Sequence, residues 1–133
     1  MMNIKFFEKI VRDSFGLWIS ALFSAIGSWN PELSFSQQKD AFFSVIEYLL
    51  VTGKIKFIAP NADCYISSDN PRPRFSINDE ESHWGLDAKQ IVSYLKGKWP
   101  EGVVSESDEA LTLYFYEVPG IIWVDENGCL FAS

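Results

Sequence analysis

The sequence has few of the residues on which most catalytic and metal sites are built. It contains one histidine, His83, and two cysteines, Cys64 and Cys129, among 133 residues. Neither cysteine belongs to a C-x-x-C pair, so neither a zinc site nor a redox motif is indicated. We expect two reduced thiols, as is usual in a cytoplasmic protein, although the spacing leaves a disulfide between them open. We predict no metal and no cofactor.

Sequence signatures of catalysis are missing as well. The chain has no G-x-S-x-G, no glycine-rich loop after a strand and no G-K-[ST]. His83 lies near Asp79 and Asp87, but a catalytic histidine also needs a nucleophile or a substrate site. Paired acids such as Asp108 and Glu109 are better explained as partners of a helix N-terminus. We therefore predict a structural histidine, no catalytic residues and no enzymatic activity.

Positive charge is scarce too. Eleven lysines and arginines stand against eighteen aspartates and glutamates, which gives a net charge of −7. Such a field repels the phosphate backbone, so we expect no nucleic-acid partner and favour a basic protein partner.

No apolar run is long enough to cross a bilayer. The longest, residues 15–26, is short and is interrupted by Ser20 and Ser24. The acidic residues Glu8 and Asp13 precede it, which argues against a signal peptide. We predict a cytoplasmic protein with no membrane partner, monomeric when free.

Residues that can form a hydrophobic core are abundant. Apolar residues make up 47% of the chain and aromatic residues 16%, enough for a single domain over residues 1–133. Apolar residues recur at helical spacing in four segments: 3–13, with Asn3 as N-cap; 16–28; from Ser34 or Ser36 to Gly53; and from Asp87 to Pro100. Gly16 marks a break between the first two helices, or the two form one long helix.

Strand patterns are shorter and lie mostly in the second half. Residues 54–58 alternate. Residues 59–82 have an irregular pattern, in which 64–66 and 75–77 are candidate short strands on either side of a turn at Asp69-Asn70-Pro71. Residues 121–124 and 129–131 predict a hairpin with Asn127-Gly128 as a type I′ turn.

Residues 107–117 fit both a helix and a strand, and the helix start at Ser107-Asp108-Glu109 favours a helix. The pattern as a whole predicts an α+β fold. Its helical N-terminal half packs on a small, mostly antiparallel sheet that ends in the 121–132 hairpin.

The five tryptophans divide into two groups. Trp18, Trp99 and Trp123 fall on predicted buried faces, whereas Trp29 and Trp84 lie at the ends of elements. Two interpretations of Trp84 are open: a lid over the core, or an exposed anchor for a protein partner.

Part of the chain resembles a group of small bacterial proteins. The residues that carry the resemblance are the helix through Leu49-Leu50 into Gly53-Lys54-Ile55-Lys56, together with Gln90-Ile91, Leu95, Trp99-Pro100, Leu113-Tyr114-Phe115, Pro119, Ile122-Trp123-Val124 and Asn127-Gly128. Some members of the group are similar to immunity proteins of contact-dependent growth inhibition, called CdiI. The resemblance implies a protein that binds and neutralises the C-terminal toxin domain of a CdiA partner in the cytoplasm, for example a nuclease. These residues mark the fold, so no functional residue is carried over.

Two acidic groups are the candidate partner-binding residues. The acidic segment, defined as Asp79, Glu80 and Glu81, lies close to Trp84, and Asp125 and Glu126 form a second group at the hairpin tip. Loops carry recognition more often than core elements do, and a tryptophan beside charges can supply a buried anchor. The alternative is that both groups simply face water. Two other functions also remain open, an acidic chaperone for a secreted effector and a small hydrolase that uses His83.

Overall fold

The computed structural model describes residues 4–60, 62–64 and 68–132. Within these residues the α+β class is confirmed, with five α-helices and a three-stranded antiparallel sheet. The elements are α1 (Phe7–Ser14), α2 (Ile19–Trp29), α3 (Phe35–Val51), β1 (Ile55–Phe57), a short 3₁₀ helix (Glu80–Ser82), α4 (Ala88–Gly97), α5 (Glu109–Glu117), β2 (Ile121–Val124) and β3 (Leu130–Phe131).

Two helices begin with capping boxes. Before α3, the Ser34 hydroxyl accepts from the Gln37 backbone N–H at 3.1 Å, and the Gln37 side chain accepts from the Ser34 N–H at 2.9 Å. Before α4, Asp87 and Gln90 exchange the same pair of bonds at 2.8 and 3.1 Å. These exchanges satisfy N–H groups that a helix start would otherwise leave unpaired. Both predicted starts are confirmed, with Ser34 rather than Ser36 as the cap of α3.

The ambiguous segment 107–117 is helical. Asp108 is the N-cap of α5, because its carboxylate accepts from the Ala110 N–H at 2.9 Å. The helix buries Leu111, Tyr114 and Phe115 and leaves Leu113 exposed. A strand would have put Leu113 on the same face as Leu111 and Phe115, so the 3.6-residue period decides which apolar side chains reach the core.

The N-terminal helices are shorter than predicted. α1 starts at Phe7, after Phe6 with a φ of 64°, and the predicted cap Asn3 lies outside the described residues. Gly16, with a φ of 78°, stands between α1 and α2. That left-handed conformation suits glycine and cannot continue a right-handed helix, so α1 and α2 are separate helices.

The strand order in the sheet is β1-β2-β3, with Ile55 opposite Trp123 and Trp123 opposite Phe131. The predicted type I′ turn is wrong. Of its two central residues only Gly128 has a positive φ, 81°, whereas a type I′ turn requires one at Asn127 as well. Gly128 N–H donates to the Asp125 carbonyl at 3.1 Å and Asp125 N–H to the Cys129 carbonyl at 3.0 Å, which makes a three-residue loop.

The second edge of β1 is partly covered by the connection that leads to α4. Ile58 forms an antiparallel bridge with His83, Ala59 N–H donates to the Ser82 carbonyl at 2.7 Å, and Trp84 N–H donates to the Phe57 carbonyl at 2.8 Å. These bonds tie residues 82–84 to the sheet.

The predicted strand at residues 75–77 does not form, and of the predicted strand at 64–66, residues 65 and 66 lie outside the described residues. Phe75 N–H donates to the Asp63 carbonyl at 2.8 Å. Several other bonds among the described residues of this stretch involve the side chains of Asp63, Asp79 and Ser82. Such side-chain to backbone bonds favour turns over a strand ladder.

Aromatic rings fill the centre of the core. Phe23 has its ring centroid 5.3 Å from that of Phe42, 5.6 Å from Phe115 and 5.9 Å from Trp99. Trp123 is completely buried, as predicted, and its indole N–H donates to the Leu17 carbonyl at 2.9 Å. These contacts join α2, α3, α5 and the sheet through one hydrophobic cluster.

The other tryptophans pack at the margin of that cluster. Trp18, Trp29, Trp84 and Trp99 are half-buried.

Cys64 and Cys129 are both free thiols, and burial, followed by the nearby Asp63 charge, raises the pKa of Cys64. Among the described residues, no helix has the length and apolar character needed to cross a membrane.

Candidate partner-binding surface

The acidic segment is held in shape by its neighbours. The Asp79 carboxylate accepts from the Ser76 backbone N–H at 2.7 Å. Ser82 is fully buried, and its hydroxyl lies 2.9 Å from the Ser76 carbonyl and 2.7 Å from the Asp79 carbonyl. Glu80 and Glu81 are exposed. Asp79 therefore shapes the loop, while Glu80 and Glu81 present their charge to solvent.

His83 anchors the same loop from the other side. Its ring is half-buried, and Nε2 lies 2.6 Å from the Ile77 carbonyl oxygen. Its backbone pairs with Ile58 at the edge of the sheet. The imidazole is thus one of the groups that hold this loop in shape, and its structural role stays a prediction.

Trp84 supports an exposed tyrosine. The indole is half-buried against the core and meets the Tyr94 ring edge-on, with centroids 4.9 Å apart. Tyr94 is 37% exposed, and the ammonium of Lys98 lies 5.6 Å from its centroid. Trp84 therefore packs against the core with part of its surface open, and Tyr94 extends its aromatic surface outward.

The two predicted acidic groups lie at opposite ends of β2. The acidic segment neighbours Ile58, whose N–H donates to the Gly120 carbonyl, whereas the hairpin tip follows Val124, whose N–H donates to the Lys54 carbonyl. Four strand residues separate these ends by roughly 14 Å at the usual rise per residue. The structure therefore does not bring the two groups into one cluster.

At the hairpin tip the two carboxylates differ. Asp125 Oδ1 accepts from the backbone N–H groups of Asn127 and Cys129, at 2.9 and 2.8 Å. Glu126 is exposed. Asp125 therefore stabilises the turn, and Glu126 alone offers an exposed charge there.

A groove lies next to the acidic segment. This Pro60 groove, with a volume of about 600 Å³, is lined by residues that include Trp18, Ala59, Pro60, Tyr94, Tyr116 and Pro119. Ala59 is hydrogen-bonded to Ser82 and Tyr94 contacts Trp84, so the groove and the acidic segment share one side of the molecule.

A second groove shares two lining residues with the Pro60 groove. This Glu106 groove, with a volume of about 510 Å³, is lined by Trp18, Ser20, Ser24, Glu106, Thr112, Phe115 and Tyr116. Trp18 and Tyr116 line both grooves, and Tyr116 is 74% exposed. An aromatic ridge thus separates two concave surfaces of a size usual for ligand and side-chain pockets.

The sequence predictions did not include this ridge. Tyr116 and Leu113 do not fit the period of Leu111, Tyr114 and Phe115, which makes them the outer face of α5 once the segment is taken as a helix. Leu113 is 58% exposed. Large apolar side chains on the outer face of a helix were the available signal for a contact surface.

Among the described residues, none of the groups with shifted pKa values, Asp13, Asp63, Cys64 and Tyr114, lines either of these two grooves. Hydrogen bonds from the Arg74 backbone and the Asn70 side chain lower the pKa of Asp63, and the bond from the Trp29 indole lowers that of Asp13. Burial raises the pKa of Tyr114, whose hydroxyl donates to the Leu95 carbonyl at 2.7 Å. Each shift has a structural cause.

In the described ranges, no three histidine, cysteine, aspartate or glutamate residues lie close enough together to hold a metal ion.

Comparison with known proteins gives a likeness of fold. The chain matches no protein-family model and no curated protein. It is similar to the solved structure of an uncharacterised protein conserved in bacteria, from Neisseria meningitidis, with a TM-score of 0.63 and 18% identity. The alignment covers 94% of this chain and 84% of that one. At this identity the likeness concerns the fold alone.

Proposed function

We propose that this chain is an immunity protein that binds a basic toxin domain in the cytoplasm, one to one, and blocks it. The observation that carries the proposal is a juxtaposition. Two exposed carboxylates, Glu80 and Glu81, stand beside a groove with the aromatic side chains of Tyr94 and Tyr116. Charges and aromatic anchors of this kind are what protein interfaces combine.

In this proposal the exposed carboxylates and the aromatic side chains act on different steps of binding. Exposed carboxylates at the rim steer a basic partner and raise the association rate, the more so in a protein of net charge −7. Aromatic side chains that become buried slow dissociation. A toxin that acts on nucleic acid needs a basic substrate site, and an acidic inhibitor can occupy or obstruct such a site.

A charge-reversal variant tests the proposal. Glu80→Lys/Glu81→Lys keeps Asp79, whose carboxylate shapes the loop. We expect the association rate with the purified toxin domain, measured by surface plasmon resonance at low salt, to fall about tenfold and to lose most of its salt dependence. The melting temperature should stay nearly unchanged, because exposed charges contribute little to stability.

The matched control is Glu8→Lys/Glu32→Lys, which changes the net charge equally at two exposed positions outside both grooves. Glu126→Lys tests the hairpin tip separately. An association rate lowered equally by both double variants would assign the effect to overall charge and remove the acidic segment from the interface. Failure of the unmodified chain to bind any toxin domain would defeat the proposal itself.

A further inference from the structure

The carboxylate of Glu106 is held in place at one side of its groove. Ser24 Oγ donates to Glu106 Oε2, and Gln38 Nε2 lies 3.5 Å from Oε1. Gln38 is buried, and its amide also donates to the Phe23 carbonyl at 2.9 Å. Side chains from α2 and α3 therefore orient a carboxylate that belongs to the loop before α5.

Close packing of α2 supports this arrangement. A methyl group on Gly27 would lie 2.6 Å from Gln38 Nε2. Glycine inside a helix costs about 1 kcal/mol relative to alanine. Here it leaves the space in which the Gln38 amide reaches the Phe23 carbonyl and Glu106.

The other walls of the groove are aromatic. Trp18 is fixed by the bond from its indole N–H to the Phe115 carbonyl, 2.6 Å long, and Tyr116 projects from α5 with 74% of its surface exposed. In the described part of the chain the groove lining contains no lysine or arginine. The groove thus combines one oriented negative charge with aromatic faces.

This combination suits a guanidinium group. A carboxylate has about four lone-pair positions, and the two bonds from Ser24 and Gln38 occupy one on each oxygen of Glu106. One position on each oxygen remains for the paired N–H groups of arginine, whose flat face also stacks on aromatic rings. An ammonium group would gain the charge interaction but neither the fork geometry nor the stacking.

We propose that the Glu106 groove binds an arginine side chain of a basic protein partner, with Glu106 as the counter-charge and the exposed ring of Tyr116 as the stacking surface in a groove that Trp18 also lines. The identification of that partner as the toxin rests on the proposed function. The recognition of arginine does not.

The first experiment uses short peptides and the full chain. Acetyl-Gly-Arg-Gly-amide and its citrulline analogue, which has the same shape without the charge, are titrated against ¹⁵N-labelled protein. We expect the arginine peptide to shift the Trp18 indole and Thr112 amide signals, and the citrulline peptide to bind at least about fivefold more weakly. Equal shifts with the two peptides overturn the proposal.

Two variants test whether the charge of Glu106 is responsible for the preference for arginine. Glu106→Gln keeps an acceptor for Ser24 while removing the charge, so we expect an unchanged melting temperature and loss of the preference for arginine. Glu8→Gln, on exposed α1 surface, should bind like the unmodified chain. A Glu106→Gln variant that still prefers arginine over citrulline also overturns the proposal.

Binding of the toxin domain separates the two proposals. A loss of about tenfold in toxin affinity in Glu106→Gln supports an arginine of the toxin as the occupant. Unchanged toxin affinity in a variant that has lost peptide binding overturns the toxin as the source of the arginine and leaves the proposed function intact. Arginine binding by a chain that binds no toxin refutes the proposed function and leaves the groove assignment standing.

Discussion

The helical core and the connection from β1 to α4 are held together by different interactions. In the core, Phe23, Phe42 and Phe115 are buried and their rings touch. In the connection, residues 59–87, of which the structure describes 59, 60, 62–64 and 68–87, polar side chains such as those of Asp79 and Ser82 bond to nearby backbone groups. Apolar burial is non-directional and sums over many contacts, whereas each hydrogen bond adds only about 1 kcal/mol net.

Because of this difference, we expect the core to set the stability of the fold and the connection to present the charged side chains. Regions with few buried apolar contacts open locally at lower free energy than the core. The connection places Glu80 and Glu81 on the surface, while α2, α3 and α5 provide the rigid walls behind Trp18 and Tyr116. Changes in the connection should therefore alter binding or local opening with small effects on global unfolding.

The largest expected effect is in the core. Phe23→Ala removes a fully buried ring that contacts Phe42, Trp99 and Phe115, so the free energy of unfolding should fall by about 3–5 kcal/mol. Urea denaturation measures this change in the free energy of unfolding. Tyr116→Ala, at a largely exposed position, is the control and should stay within about 0.5 kcal/mol. Similar losses in both variants would contradict a greater contribution of the buried core to global stability.

A smaller effect is expected at Ser82. Ser82→Ala removes a buried hydroxyl that bonds the Ser76 and Asp79 carbonyls, so we expect the free energy of local opening of the connection to fall by about 1–3 kcal/mol, with a smaller change in the free energy of global unfolding. Hydrogen exchange should quicken at the amides of Ser82 and His83 before it does in α3. Ser93→Ala, exposed on α4, is the matched control. Uniform acceleration across the chain would show that the connection opens only together with the core.

At the hairpin tip a still smaller loss is expected. Asp125→Ala deprives two exposed backbone N–H groups of their acceptor, which should cost about 0.5–1.5 kcal/mol. Glu126→Ala should be neutral. Thermal unfolding of both variants gives the comparison, and an equal effect would mean that the Asp125 bonds add nothing to the turn.

The smallest effect concerns acid sensitivity of the connection. Hydrogen bonds from the Arg74 backbone and the Asn70 side chain lower the pKa of Asp63 in the folded chain. A lowered folded pKa gives stability that is present above the unfolded value, near 3.9, and is lost as the pH falls through the folded value. Asp63→Asn should therefore flatten the acid side of the stability profile below about pH 4. An unchanged profile would show that these bonds persist when the carboxyl is protonated.

Local sequence signals predicted the helix starts well but failed for the strand at residues 75–77 and for the type of the hairpin turn. Ser34 with Gln37 and Asp87 with Gln90 form capping boxes, which need only residues three apart. The strand expected at residues 75–77 failed because Asp63, eleven residues from Arg74, accepts its backbone N–H and fixes a non-strand path. The type I′ turn failed because the Asp125 carboxylate supports a different loop.

The acidic candidate residues also show that local sequence does not reveal which side chains form hydrogen bonds within their own loop. Exposure of Glu80, Glu81 and Glu126 follows from their charge, and the sequence predicted it. That Asp79 and Asp125 use their carboxylates within their own loops depends on backbone geometry, which composition does not contain.

By itself, the sequence determined the α+β class, the capped helices, the sheet strands and the acidic surface, because these depend on periodicity and on residues close along the chain. Only the tertiary structure decided that Trp18 of the α1–α2 connection and Tyr116 of α5 line the same two grooves, and that Ser24, Gln38 and Glu106 meet. The two hydrogen bonds of Glu106 join residues 82 and 68 positions apart, and Trp18 and Tyr116 stand 98 positions apart (116 − 18). The packing of helices around a shared aromatic core brings these residues together. No local pattern encodes that packing.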